Sequence, residues 1–183
     1  MNVRIKLALA VAVTATMAVA GTAALAGGGQ QIRETLTGYE EVPAVSTAGS
    51  GTFEASVKPA GDAITYKLTY SALEGSVQQS HIHLGQRGVN GGISVFLCSN
   101  LGNGPAGTQA CPLASPATVE GTLTAADVIG PTGQGITAGE FAELIAAIRA
   151  GVTYVNVHST KWPGGELRSQ LGRDNSGRGS DNR

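Results

Sequence analysis

Residues 80–85 read Ser-His-Ile-His-Leu-Gly, and this alternation of polar and apolar side chains is typical of a β-strand. Successive side chains of a strand point to opposite faces of the sheet. His81 and His83 therefore share one face, while Ile82 points to the other. The stretch predicts a strand, within residues 77–84, on which two imidazoles are neighbours.

Residues 152–158, Val-Thr-Tyr-Val-Asn-Val-His, alternate in the same way. Val157 points to one face of this second predicted strand, and Tyr154, Asn156 and His158 point to the other. The chain has only 3 histidines, so these two segments contain all of them. A cluster of three histidines forms if the two strands are neighbours, which the sequence does not decide.

Short segments rich in β-branched residues recur along most of the chain, separated by glycine, proline and asparagine. This pattern favours an all-β sandwich or barrel. Residues 58–62, Lys-Pro-Ala-Gly-Asp, form a turn that predicts a hairpin between its flanking strands. The predicted strands are residues 32–36, 51–57, 63–70, 77–84, 93–98, 118–123, 152–158 and 166–171.

One helix is predicted near residues 137–150. Thr137 and Glu140 have the spacing of a capping box, with Thr137 as N-cap, and Gly151 supplies the stop. The apolar residues that follow recur at helical spacing and predict one stripe packed on the sheets: Phe141, Leu144, Ile145 and Ile148.

The N-terminus predicts export from the cytoplasm. Basic residues at Arg4 and Lys6 precede an apolar run and then small residues, as in a secretory signal peptide covering residues 1–26. A membrane anchor is the alternative, but threonines interrupt the apolar stretch. We expect the mature protein to be secreted or periplasmic, with no membrane span after cleavage of the signal.

Composition limits the classes of partner. Removal of residues 1–26 leaves 10 basic against 13 acidic residues, a net charge of −3, with no basic patch for nucleic acid or a lipid surface. The remaining 157 residues suit one domain, with a flexible segment at 27–31. Residues 172–183 are polar and glycine-rich and are expected to be disordered.

Two cysteines, Cys98 and Cys111, flank a loop rich in glycine, asparagine and proline. In an oxidising compartment they are expected to form one disulfide. A reactive or metal-binding pair is the alternative, but a CxxC motif is absent.

A series of motifs, taken in order, resembles the CHRD domain, which we expect over residues 32–171. That domain was described as a repeat in the animal protein chordin and also occurs singly in secreted bacterial proteins, the type that this chain resembles. The chain departs from the family at Ala44, where a second proline is common. The motifs are residues 36–38 with 41–43, 64–66, 81–85, 150–151, 154–158 and 163–170.

The resemblance implies a Greek-key, immunoglobulin-like β-sandwich in an extracellular setting and no established enzymatic activity. Our first hypothesis for its function is a non-enzymatic binding module that recognises an unknown extracellular or envelope protein or polymer. The His81-Ile82-His83 segment also resembles the copper-ligand strand of copper/zinc superoxide dismutases. The sequence therefore also fits the strand topology of those enzymes, which are Greek-key β-sandwiches. Those enzymes bind their metals with more histidines than this chain has, and with an aspartate ligand for which this chain shows no recognisable counterpart.

The alternative function is a copper- or zinc-binding protein for metal handling or redox protection. Three histidines with an open fourth position suit either ion. We expect Glu166, Asn156 and Tyr154 to supply a fourth ligand or to orient the imidazoles. The competing interpretation is a polar face in which the histidines are only hydrogen-bonded.

Two acidic positions stay ambiguous. Glu166 either pairs with Arg168 as an exposed ion pair or accepts a hydrogen bond from a histidine. Glu41 is either an exposed loop charge or a cap for backbone donors near Pro43. No catalytic residues are predicted, because GxSxG is absent and no carboxylate pair has the spacing of an acid and a base.

Overall fold

The computed structural model describes residues 29–172. The predicted signal peptide, residues 27–28 of the predicted flexible segment, and the predicted tail from residue 173 lie outside the described residues. Eight strands and one α-helix make up the regular structure: β1 (Gln31–Leu36), β2 (Ser50–Val57), β3 (Ile64–Ser71), β4 (Val77–Leu84), β5 (Gly92–Ser99), β6 (Ala117–Leu123), α1 (Phe141–Arg149), β7 (Thr153–Ser159) and β8 (Leu167–Leu171).

The strands form two four-stranded antiparallel sheets. The first sheet has the order β1-β2-β3-β6, and the second has the order β5-β4-β7-β8. One hydrophobic core, to which both sheets contribute, includes Phe53 and Leu68 of the first sheet and Ile82 and Val157 of the second. The expected all-β sandwich is thereby confirmed.

The predicted hairpin is formed by β2 and β3, which pair from Ser50↔Ser71 to Val57↔Ile64. Alternate residues of both strands are buried, as the period of two requires. Gly61 in the turn has a φ of +72°, a conformation that glycine adopts without steric cost.

The helix begins later than predicted. Gly139 has a φ of +88°, which lies outside helical geometry, so α1 starts at Phe141 with Glu140 at the N-cap position. Glu140 still accepts a hydrogen bond from the Thr137 backbone N–H at 2.6 Å, as the capping-box pattern indicated, and the four expected apolar residues are buried. Among residues 29–172, no helix is long and apolar enough to cross a membrane.

The second sheet is covered on both faces. Every residue of β7 is buried, although alternate residues of this strand point away from the core. Three loops pack over the outward-pointing side chains, at residues 38–45, 86–91 and 163–165. These loops turn a sheet face that would otherwise meet water into a buried, polar layer.

Candidate metal centre

The two histidine strands are neighbours in the second sheet. β4 and β7 pair antiparallel, with His81 opposite Asn156, His83 opposite Tyr154 and Gln79 opposite His158. This register places the three imidazoles on the outward-pointing side, which we call the histidine face: His81, His83, Tyr154, Asn156, His158 and Arg168. One ligand nitrogen from each histidine lies within 4.8 Å of the others.

Aromatic contacts hold the rings in place. The ring of His81 lies 5.0 Å from that of His158 and 5.3 Å from that of His83, and its edge meets Phe96 at 4.4 Å between centroids. Tyr154 stacks on His83 at 4.6 Å with an angle of only 2° between the ring planes. The imidazoles are therefore packed as tightly as core residues while forming a polar cluster.

Two of the histidines are oriented by backbone carbonyls. His83 Nδ1 lies 2.9 Å from the Gly91 oxygen, and His158 Nδ1 lies 2.9 Å from the Pro163 oxygen. A carbonyl oxygen only accepts hydrogen bonds, so each Nδ1 carries the hydrogen and each Nε2 of a neutral ring keeps its lone pair. This leaves both Nε2 atoms as potential metal ligands.

Several ring nitrogens in the cluster have no hydrogen-bonding partner. They are His158 Nε2 and both nitrogens of His81. These side chains are buried, with exposed fractions of 1% for His81 and 7% for His83 and His158. Unpaired buried polar atoms are rare in native proteins because they lose water without gaining a replacement.

The contact between His83 and Asn156 also leaves a ring nitrogen without a suitable hydrogen-bond donor. His83 Nε2 lies 3.1 Å from Asn156 Oδ1, so a ring lone pair faces an amide oxygen. Two acceptors in contact repel each other. Rotation of the amide, or a cation bound at Nε2, removes this repulsion.

The imidazoles are neutral at ordinary pH. Burial, together with the neighbouring His158 and His83, lowers the pKa of His81 from 6.5 to about 2. Burial also lowers the pKa of His83 to about 4, although the hydrogen bond to Gly91 opposes the shift. The pKa of His158 is lowered by burial as well. Neutral imidazole is the form that binds metals.

The comparison with known families agrees with this architecture. The family model of the CHRD domain matches residues 32–171. The chain belongs to the CHRD family. Searches of curated proteins and of solved structures returned no match.

In this CHRD domain the three expected fourth-ligand residues occupy different environments. Asn156 borders the cluster through its contact with His83. Tyr154 contributes its ring, but its hydroxyl is directed to the backbone of Gly91. Glu166 is not in the group able to share an ion with the histidines, and its Oε1 is bonded to Thr47 and Glu74.

The two interpretations of Glu166 proposed from sequence are both wrong. Glu166 is fully buried, and its Oε1 accepts hydrogen bonds from Thr47 Oγ1 at 2.6 Å and from the Glu74 N–H at 2.8 Å. It lies immediately before β8, and the partners of its Oε1 belong to the segments that carry Thr47 and Glu74. It therefore neither pairs with Arg168 nor binds a histidine.

Arg168 is a buried cation, not an exposed one. Its exposed fraction is 1%, and its guanidinium donates to Asn90 Oδ1 at 3.0 Å and to the Val89 carbonyl at 2.8 Å. Its Cζ lies 3.4 Å from the centroid of the Tyr154 ring. Arg168 thus ties loop 86–91 to the histidine face.

Glu41 is buried beside the same face and is not an exposed loop charge. Burial raises its pKa to about 7, while Arg168, the Val42 N–H and the Asn156 side chain oppose the shift. A Cβ added at Gly165 would lie 2.3 Å from its Oε1, so the close approach of the two loops requires glycine there.

Sequence patterns did not identify the backbone groups that orient the cluster. The Gly91 and Pro163 carbonyls belong to loops, and any residue type carries a carbonyl oxygen. The only available signal was indirect, namely the motif matches in residues 81–85 and 163–170.

The predicted disulfide between Cys98 and Cys111 is confirmed. No free cysteine is present in residues 29–172. Neither sulfur is available as a thiolate ligand.

Proposed function

We propose that this CHRD-family protein binds one copper or zinc ion through His81, His83 and His158. The observation that carries the proposal is the convergence of three buried imidazoles whose ring nitrogens include partnerless atoms. A bound ion would give those lone pairs the partner that the surrounding protein does not provide.

The geometry needs little change to accept an ion. Donors placed about 2.0 Å from a tetrahedral zinc ion lie about 3.3 Å from each other. The three ligand atoms of the cluster lie within 4.8 Å of one another. To reach this spacing, the donor atoms would have to move by at most about 1.5 Å relative to one another.

The surroundings of the histidines resemble those of metal ligands in general. A histidine that binds a metal through one nitrogen usually donates its other N–H to a carbonyl or carboxylate. His83 and His158 make this contact with Gly91 and Pro163. The contact sets the orientation of each ring before any ion arrives.

The proposed role is metal handling or redox protection outside the cytoplasm. Support for export comes from the signal-like residues 1–26 and from the disulfide, which is typical of oxidising compartments. Recognition of an envelope protein or polymer remains a prediction from the family resemblance. The metal is the ligand that the geometry favours.

The test is metal analysis of the mature chain purified in oxidised form. We expect one copper or zinc ion per wild-type chain after loading and removal of excess metal. His81→Leu, His83→Leu and His158→Leu should each abolish stoichiometric binding. Thr65→Val, on the exposed outer face of the first sheet, is the matched control and should bind as wild type does.

Circular dichroism of each variant would show whether the fold is retained. A folded wild-type protein that takes up neither copper nor zinc in stoichiometric amount would contradict the proposal. So would a folded His81→Leu variant that binds as tightly as the wild type.

A further inference from the structure

We infer that the ion selected by the histidine cluster is monovalent copper, Cu(I), held by three imidazole nitrogens without a fourth protein ligand. This inference rests on the proposed metal-binding function and adds the oxidation state and the coordination number. Four features of the cluster carry it: the charge of the donors, their burial, the nearby charges and the directions of the other polar groups.

The donor set carries no negative charge. Among residues 29–172, the group of side chains able to share an ion at this place consists of His81, His83 and His158, without a carboxylate or thiolate. A divalent ion bound there would keep its full double charge. Zinc sites commonly reduce this charge with cysteine or carboxylate ligands.

Burial penalises a double charge more than a single one. The cost of transferring an ion from water to a medium of low dielectric constant rises with the square of its charge. All three side chains are almost fully shielded from solvent. By this term the cost for a divalent ion is about four times that for a monovalent ion of equal radius.

The nearest cation adds to this preference. The Arg168 guanidinium lies on the Tyr154 ring, and Tyr154 stacks on His83. Glu41, the buried acid beside Asn156, also interacts with Arg168. The acid offsets part of the arginine's charge, and among residues 29–172 the group able to share an ion at the cluster includes no carboxylate.

The polar groups around the cluster do not complete four-coordination. The Tyr154 hydroxyl contacts Gly91. Glu166 Oε1 accepts from Thr47 and Glu74, and although its Oε2 has no partner, Glu166 is not in the group able to share an ion with the histidines. The side-chain oxygen in contact with a ring nitrogen of the cluster is Asn156 Oδ1, which a zinc ion would recruit because zinc sites are almost always four-coordinate. Three imidazoles satisfy Cu(I), whereas an amide oxygen suits harder ions.

The experiment compares the affinities of the folded, disulfide-bonded protein for two ions. Cu(I) affinity is measured anaerobically, with ascorbate, by competition with bicinchoninate. Zinc affinity is measured at the same pH with a chromogenic zinc chelator. We expect a single Cu(I) site with a dissociation constant at least about 100-fold below that for zinc.

Asn156→Ala separates three- from four-coordination. Without its amide, we expect the Cu(I) dissociation constant to stay within about threefold of wild type, while zinc binding weakens further. X-ray absorption of the Cu(I) protein should show three nitrogen neighbours. The wild-type competition decides the choice of ion whether or not this variant folds.

Each other outcome contradicts a definite statement. Zinc binding as tight as or tighter than Cu(I) binding would overturn the inference and leave the proposed metal function intact. Loss of Cu(I) binding in a folded Asn156→Ala protein would overturn the three-coordinate site. Binding of neither ion to the wild type would overturn the proposed function together with the inference.

Discussion

The guanidinium of Arg168 lies on the ring of Tyr154, with 3.4 Å between Cζ and the ring centroid, and Tyr154 stacks in turn on His83. The same guanidinium donates hydrogen bonds to Asn90 and Val89 of loop 86–91, whose last residue, Gly91, accepts from His83. Arg168 therefore contacts both the Tyr154 ring, which packs on His83, and loop 86–91, which orients the His83 imidazole. It is a positioning residue for the proposed site.

Replacing Arg168 should weaken both the fold and the site. Lysine cannot reproduce the planar, multiply bonded guanidinium, so Arg168→Lys should lower the free energy of unfolding by about 3 kcal/mol. Metal affinity should fall by about 10-fold or more, because the loop that orients His83 loosens. Urea denaturation and chelator competition measure the two effects.

Arg33→Lys is the control for this change, since Arg33 forms an exposed pair with Glu54. It should change neither quantity appreciably. An Arg168→Lys protein with wild-type stability would show that the buried hydrogen bonds of the guanidinium contribute little.

His81→Leu should separate function from stability. Both ring nitrogens of His81 are buried without partners, so an apolar side chain of similar size removes an uncompensated polar group. With a metal chelator present, we expect the free energy of unfolding to rise by about 1 kcal/mol. With metal present, the wild type should gain stability and the variant should not.

Thermal melts with and without metal provide the measurement. A variant that is clearly less stable than wild type in chelator would mean that His81 stabilises the metal-free fold. The histidines would then act as a structural polar network.

The advantage of His81→Leu in the metal-free state should grow as the pH falls. The pKa of His81 is about 2 in the folded protein, against an ordinary value of 6.5. Below 6.5 the unfolded wild type binds a proton that the folded state does not, so wild-type stability is lost with falling pH. The variant lacks this group and escapes that loss.

The difference in unfolding free energy between the two proteins should increase by about 1.4 kcal/mol per pH unit below 6.5. Urea denaturation at several values between about pH 7 and pH 4.5 measures it, and titrations common to both proteins cancel. A difference that stays constant across this range would contradict the lowered pKa of His81.

Glu166 should matter for stability and not for metal binding. Glu166→Ala removes the acceptor for Thr47 Oγ1 and the Glu74 N–H, and should lower the free energy of unfolding by about 2 kcal/mol. Glu166→Gln keeps an oxygen acceptor and should cost less.

Both Glu166 variants should take up metal with wild-type stoichiometry. Equilibrium dialysis against copper or zinc is the measurement. Loss of the ion from a folded Glu166→Gln protein would place this carboxylate among the ligands, against the hydrogen bonds that it makes in the structure.

Local sequence patterns were sufficient to predict much of the fold. The turn at residues 58–62 predicted the hairpin between the strands expected at 51–57 and 63–70, which the structure shows as β2 and β3. Strand alternation placed His81 and His83 together, because the side-chain period of a strand is set by covalent geometry. Local patterns misplaced the start of α1, because Gly139 adopts a positive φ that apolar spacing does not reveal.

The sequence by itself determined which histidines share a strand face and that Cys98 and Cys111 are available to pair. Only the tertiary structure decided that β4 and β7 are neighbours, that three loops bury the histidine face, and that Arg168 and Glu166 make separate contacts. The physical reason is the separation along the chain of the residues that interact. Strand alternation depends on adjacent residues, whereas the pairing of distant strands and the burial of a charge depend on packing throughout the domain.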